Sequence, residues 1–466
     1  MGKLTFEYRN IWNCIDGEEI ERLFNINEDY KLFLNHSKTE RVAIKEIIKR
    51  AERKGFICFD ELVVTNKKLL PGTKVYMNNK DKCLALYVIG EKSIKSGINL
   101  IGAHLDSPRL DIKMNPLYED SDLALLKTHY YGGIKKYQWV SIPLSLYGVI
   151  MRKDGTKVDI VIGEEEDEPI FFITDLLPHL AKDQYEKKLQ EAITGEELNI
   201  IIGSIPFNNK DIRNSVKYNV LKVLNEKYGI VEEDFTTAEL EAVPAGKARD
   251  LGLDKGLIAA YAQDDKVCAY TCLQSILEIE KPERTCVALF VDKEEIGSYG
   301  NTGMNSRFFE NTIVETISML EGSCTLLDLG RTLANTRALS ADVTSAFDPN
   351  FPNVFDKRNT AHSGRGLAIV KESANGGKNR GNDANSEYIG YLRKLFNDNN
   401  ILWQMAELGK VDQEESGTIA YIMAHYGMDV VDCGVPVLSM HAPYEVVSKA
   451  DVYMAYKGYK VFYLSE

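Results

Sequence analysis

The stretch Ile98-Asn99-Leu100-Ile101-Gly102-Ala103-His104-Leu105-Asp106-Ser107-Pro108 decides the reading of this chain. The run over 98–103 is short and mostly apolar, which predicts a buried strand. That strand ends directly on His104, with Asp106 two positions on. Side chains two apart in an extended segment share a face. Asp106 is therefore placed to orient the His104 imidazole through its second nitrogen. Alone, the pair reads more readily as a surface histidine beside a turn aspartate.

Four further segments change that balance. Gln263-Asp264-Asp265 ends an apolar run over 257–262 and opens a helix. Aspartate is favoured there as a cap, but a carboxylate can also bridge two cations roughly 3.5–4 Å apart. Asp264 is the candidate bridge. Asp292-Lys293-Glu294-Glu295-Ile296-Gly297 follows a predicted strand over 285–291. Neighbouring carboxylates beyond a strand point in different directions, so one can ligate a metal while the other moves a proton. Gly297 and Gly300 would let that loop bend toward a ligand. Ser340-Ala341-Asp342 and Ser439-Met440-His441-Ala442 follow apolar segments and offer one terminal ligand each. Taken singly, these are ordinary polar loop residues. As an ordered set of two histidines and several carboxylates, they are the donors of a pair of zinc-class ions. His129, His179 and His362 are further candidates, whereas His36 and His425 read as helix residues.

Outward from these segments, the chain divides in three. Ser37-x-x-Glu40 has a capping-box pattern before a helical stretch that ends at Gly55. Strands are predicted over 74–77 and 83–89. After about residue 112 the character turns β-rich, with strands over 141–152, 157–162, 169–173 and 198–202 and a hairpin signal at Asp154-Gly155. The acidic run over 164–168 is expected to be a solvated turn. One helix is predicted over 211–228. From about 240 the pattern alternates strand and helix, and the last helix is expected to start at Ser448. The expected fold is α/β: a mixed-sheet catalytic domain (1–112 and 241–466) with an inserted β-rich domain (113–240). Chemistry in such sheets gathers at the carboxyl ends of strands.

The bulk properties exclude other classes. With 466 residues, the chain can bury a sizeable core. Its net charge of -13 argues against nucleic acid or an anionic membrane as partner. No apolar run reaches transmembrane length. The opening Met1-Gly2-Lys3-Leu4-Thr5-Phe6 lacks the apolar core of a signal peptide. The eight cysteines form no C-x-x-C pair and are expected to be reduced packing residues, so the cytoplasm is the expected compartment. There is no G-x-G-x-x-G, P-loop, G-x-S-x-G or H-E-x-x-H to support a nucleotide, serine-hydrolase or helix-borne zinc chemistry.

The five segments, with Val343, Pro349-Asn350, Tyr131-Gly132-Gly133, Gln138-Trp139 and Gly417-Thr418, resemble the aspartyl aminopeptidase and vacuolar aminopeptidase I family of co-catalytic zinc peptidases, in particular its bacterial aminopeptidase 1 branch. The resemblance spans nearly the whole chain. It implies that His104, Asp264, Glu295, Asp342 and His441 ligate two divalent ions per subunit, Zn²⁺ with Co²⁺ or Mn²⁺ as substitutes. It makes Glu294 the general base, Asp106 its catalytic companion, and single N-terminal residues of peptides the leaving products. It implies an α/β mixed-sheet catalytic domain of zinc-peptidase type with a β-rich dimerisation domain inserted after the first ligand, and a homo-oligomer in the form of a tetrahedral dodecamer. Lys371, in Ile369-Val370-Lys371, would select acidic N-terminal side chains. His179, in Pro178-His179-Leu180, would reach a neighbouring subunit's site, although Ala181-Lys182-Asp183 stands where the family often has a second histidine. A deblocking or glutamyl aminopeptidase of the related tetrahedral family is the nearest alternative. A non-catalytic shell protein would be expected to have lost a ligand or the base, and this sequence has lost neither.

Overall fold

The computed structural model describes residues 4–65, 67–209, 211–375, 379–413 and 417–466; the opening residues 1–3, read above for a leader, lie outside them. The chain forms two compact units. One comprises Met1–Asp106, Ala248–Met440 and Glu445–Glu466, the other Ser107–Lys247 and His441–Tyr444.

Among the described residues, the first unit is built on a nine-stranded mixed sheet. Its spatial order is Ile57–Cys58, Lys74–Asn79, Cys83–Val88, Cys286–Val291, Asn99–His104, Arg337–Ser340, Asp429–Gly434, Leu367–Val370 and Trp403–Ala406. The four central strands run parallel, with Val291 opposite His104 and Ser340 opposite Gly102. The loops that follow Val291, His104 and Ser340 therefore emerge along one edge of the sheet, which is where an α/β sheet gathers its chemistry. Two of them, Asn99–His104 and Cys286–Val291, are mostly apolar and buried at every residue. That is the pattern of parallel strands covered on both faces.

The helix Gln263–Leu277 is buried along almost its whole length and packs on Lys449–Tyr463 and on the central strands. Cys272, Tyr463 and Ile276 are completely enclosed there. A smaller sheet, Arg249–Leu251, Leu257–Ala260, Glu445–Ser448, Pro436–Leu438 and Thr344–Ser345, completes the unit.

The second unit carries the predicted β-rich character. Its sheet runs Glu239–Pro244, Arg109–Asp120, Leu123–Tyr131, Ile200–Gly203, Phe171–Phe172, Pro143–Met151 and Lys157–Ile162, and pairing of Glu239–Pro244 with Pro143–Met151 closes it on itself. The helix Ser215–Tyr228 packs on Leu123–Tyr131 and Ile200–Gly203.

The mixed α/β class expected from the sequence is the class found. The capping box at Ser37 is not. Ser37 closes the helix Gly17–His36, and Thr39 is the N-cap of Glu40–Arg53 without a side-chain cap bond. Two helices meeting within three residues leave Ser37 at the end of the first rather than the start of the second.

Candidate metal centre

Each candidate on the first unit is positioned by a strand end. His104 is the last residue of its strand and is buried. Its Nδ1 lies 3.0 Å from the Asp106 carbonyl oxygen and 3.4 Å from Asp106 Oδ1. An acceptor on Nδ1 leaves Nε2 free to face outward as a ligand. Nε2 lies 3.3 Å from Asp264 Oδ1, 3.9 Å from Glu294 Oε2 and 4.0 Å from Asp342 Oδ1. One imidazole nitrogen thus faces three carboxylates from three separate segments of the chain.

Asp264 and Asp265 occupy the first turn of their helix in non-helical conformations and are joined by a cis peptide bond. The Asp264 backbone N–H donates to Glu445 Oε2 at 2.9 Å, and Gln263 Nε2 donates to the Glu445 carbonyl oxygen at 2.6 Å. Asp265 Oδ2 accepts the His104 backbone N–H at 3.3 Å. Lys266 is fully buried and donates through Nζ to the Leu105 carbonyl oxygen at 2.9 Å.

Glu294 and Glu295 lie in a short 3₁₀ turn flanked by Lys293 and Gly297, both with left-handed backbone. Gly297 has φ +94°, and a Cβ there would meet the Tyr299 ring at 3.4 Å. A side chain at that position is disfavoured by conformation first and crowding second. The Asp106 carboxylate fixes the turn from behind, since Oδ1 accepts the Glu294 N–H and Oδ2 the Glu295 N–H.

Two sets of donors lie close enough to hold an ion. The ligand atoms of His104, Asp264 and Glu295 fall within 4.8 Å of one another, and so do those of His104, Asp265 and Asp342. The electrostatics suit a cation. Burial pushes the Glu294 carboxyl up to about 8, with His104 opposing and the charges of Glu295, Asp106 and Asp264 adding to it. Burial and the neighbouring carboxylates push Asp265 and Asp342 up as well. Burial would lower His104, but hydrogen bonds with Asp106 and Asp264 and the charges of Glu294 and Asp265 raise it well above its ordinary value. Carboxylates crowded in a buried site repel one another until a cation relieves them. Imidazole nitrogen with carboxylate oxygen is a donor set that zinc accepts, so the residues fit a zinc-class ion.

The structure therefore brings together His104, Asp106, Asp264, Glu294, Glu295 and Asp342. His441 belongs to the second unit, where its Nδ1 lies 3.0 Å from the Gly133 carbonyl oxygen in a left-handed backbone conformation. Lys371 Nζ donates to Asp383 Oδ1 at 2.6 Å and lies 3.6 Å from Glu372. His179 sits in a short 3₁₀ turn, Pro178–Leu180, of the second unit. Three participants escaped sequence reasoning: Asp265, Lys266 and Glu445. Asp265 had a signal, as the second of two adjacent acids. The buried Lys266 beside them was a weaker one.

Comparison with known proteins agrees with this chemistry. The family model of aminopeptidase I zinc metalloproteases (M18) matches residues 33–463. A probable M18 family aminopeptidase 1 of Clostridium acetobutylicum is 50% identical over 459 residues, 98% of each chain. A crystal structure of an M18-family aminopeptidase from Thermotoga maritima superposes with a TM-score of 0.94 at 43% identity, covering 98% of this chain and 99% of that one. The crystal structure of aminopeptidase I from Clostridium acetobutylicum gives a TM-score of 0.93 at 48% identity, covering 99% and 100%. With nearly its whole length matched in sequence and in fold, this chain belongs to the M18 family of zinc aminopeptidases and is a metal-dependent hydrolase.

Proposed function

We propose that this aminopeptidase releases single N-terminal residues from peptides by two-metal hydrolysis, with His104, Asp264, Glu295, Asp342 and His441 as ligands and Asp264 as the bridge. The observation that carries the reading is the convergence of Asp264, Glu294 and Asp342 on His104 Nε2, with Glu295 in the donor group of His104 and Asp264. A pair of divalent ions, Zn²⁺ with Co²⁺ or Mn²⁺ as substitutes, would supply an acidified water and polarise the scissile carbonyl. Glu294 holds the proton of the attacking water on its carboxylate and returns it to the leaving amine. Asp106 holds the His104 ring and the Glu294 turn in register with one another. His441 is supported as a ligand by the acceptor on its Nδ1, which fixes the tautomer that presents Nε2.

Lys371 is the proposed selector of acidic N-terminal side chains. It would exchange its ion pair with Asp383 for the substrate carboxylate. His179 is proposed to act in a neighbouring copy, within a homo-oligomer of the dodecameric type implied by the family resemblance and assembled through the inserted β-rich domain. In support, Leu176, Leu177, Leu180, Tyr185 and Leu189 flank His179 and are each more than half exposed. An apolar run of this kind is expected to be covered by another chain. The cytoplasm is the proposed compartment, supported by eight cysteines that form no disulfide.

The test is incubation of the protein with a mixed library of peptides bearing free amino termini, read by mass spectrometry with and without chelator and with added Zn²⁺, Co²⁺ or Mn²⁺. Stepwise loss of N-terminal residues that stops with chelator is the expected result. Excess release of Asp and Glu, lost in Lys371→Ala, would support the acidic preference. Internal cleavage, or cleavage indifferent to chelator, would overturn the reading.

A further inference from the structure

The strand Asp429–Gly434 carries a buried carboxylate, Asp432, that is not among the donor groups gathered around His104. Asp432 is 2% exposed. In register it lies beside Ser340 of the parallel neighbour and Val370 of the antiparallel one. Residues paired in register across neighbouring strands project from the same face, so the Ser340 hydroxyl and the Asp432 carboxylate lie side by side. Ser340 is fully buried. Neither Asp432 oxygen nor Ser340 Oγ makes a hydrogen bond of acceptable geometry among the described residues.

Two more hydroxyls face the carboxylate, those of Ser373 and Thr418. They stand 3.5 Å from each other, which is too long for a strong bond between hydroxyls. Lys371, next to Val370, directs its ammonium at Asp383. Burial pushes the Asp432 carboxyl up while the three hydroxyls pull it down. Among the described residues the groups that face this buried carboxylate are neutral hydroxyls, and such a carboxylate is costly unless a positive charge joins it.

We propose that Asp432, Ser340, Ser373 and Thr418 form a binding site for a monovalent cation, Na⁺ or K⁺. The donors are all hard oxygens, the kind that bind hard cations. One carboxylate among three neutral oxygens matches a single positive charge, whereas Ca²⁺ takes six to eight oxygens with more carboxylates among them. At a cation–oxygen distance of about 2.4 Å, as for an ion of Ca²⁺ size, two oxygens 3.5 Å apart subtend about a right angle. An ion there ties together the strands Arg337–Ser340 and Asp429–Gly434, the strand Glu372–Asn375 that follows Lys371, and the loop of Thr418. The proposal does not depend on the zinc ligand assignment, because its readout is stability rather than turnover.

The test uses the metal-loaded protein in tetramethylammonium chloride, replaced stepwise by NaCl or KCl at constant ionic strength. The melting temperature should rise saturably with Na⁺ or K⁺, by about 3 °C once the ion is well above its dissociation constant. Asp432→Asn removes the buried charge and should show no difference between the salts. Ser340→Ala should shift the midpoint to about tenfold higher salt. Crystals soaked in thallium(I), a heavy stand-in for K⁺, should show anomalous density among the four side chains. Equal melting in all three salts overturns the proposal, as does an undiminished salt response in Asp432→Asn. Should that variant fail to fold, thallium absent from these side chains overturns it independently.

Discussion

Asp106 Oδ1 accepts the backbone N–H of Glu294 at 3.1 Å, while its other oxygen accepts that of Glu295 at the same distance. The same residue holds His104 through its carbonyl and carboxylate oxygens. One side chain therefore sets the position of a candidate ligand and of the candidate base together. Asp106→Asn keeps the size but replaces one acceptor oxygen by a donor that faces a backbone N–H. Outer partners of metal ligands typically contribute 10–100-fold in affinity or activity. Turnover and zinc affinity should both fall by about that factor. Steady-state kinetics beside a zinc titration would read the two, and a variant unchanged in both would show that Asp106 holds neither group.

Glu294→Gln separates proton transfer from metal binding. Glutamine fills the same space and cannot take a proton, and the donor atoms of His104, Asp264 and Glu295 are untouched. Metal content by elemental analysis should be unchanged while turnover falls about 10²–10⁴-fold. Near-wild-type turnover would remove Glu294 as the base, and loss of metal would move it among the ligands.

If the proposed pair of ions is held as set out above, His441→Ala should weaken one ion site and lower the metal content toward one ion per chain. Its Nδ1 acceptor, the Gly133 carbonyl, would remain in place, so the loss is of one ligand and not of the loop. Elemental analysis after dialysis against dilute zinc gives the count. Two ions retained would exclude His441 from the ligand set.

The parts of the site that lie at strand ends were legible in the sequence, and those made by distant contacts were not. Cys286–Val291 and Asn99–His104 read as strands because each apolar run stops at a polar residue, and the parallel register then aligns the loops that follow. Glu445 could not be read, because its bond to the Asp264 N–H joins residues 181 positions apart. Asp265 was read as the start of a helix, yet its backbone and that of Asp264 are non-helical, and its carboxylate joins the donors around His104. The hairpin of Arg109–Asp120 with Leu123–Tyr131 also went unread. Its exposed and buried residues do not alternate strictly, since it bulges between Ile112 and Leu117, and a bulge breaks the period of two on which strand reading depends.

Glu445 is buried, and its carboxylate is the acceptor for the Asp264 N–H. Glu445→Leu would leave that buried donor without its partner, a loss of about 1–3 kcal/mol. Chemical denaturation should detect the loss, and zinc affinity should weaken as Asp264 moves. Unchanged stability would mean that the Asp264 backbone finds another acceptor.

Asp451 gives the fold a pH dependence of its own. It is fully buried, and its two oxygens accept the N–H groups of Gly364 and Gly366 at 2.7 Å each. Burial raises its carboxyl to about 7, with those backbone hydrogen bonds opposing the rise. An unfolded aspartate titrates near about 3.9, so between these values the folded chain binds more protons than the unfolded one. The stability this group contributes is fully present below pH about 4 and is lost as pH rises through about 7. A shift of about three units amounts to about 4 kcal/mol at most. Asp451→Asn keeps one acceptor oxygen and cannot ionise. Denaturation midpoints measured between pH about 4 and 7.5 should fall with pH more steeply in the wild type than in this variant. Equal slopes would mean that Asp451 is already ionised at the lower pH, held by the two backbone donors.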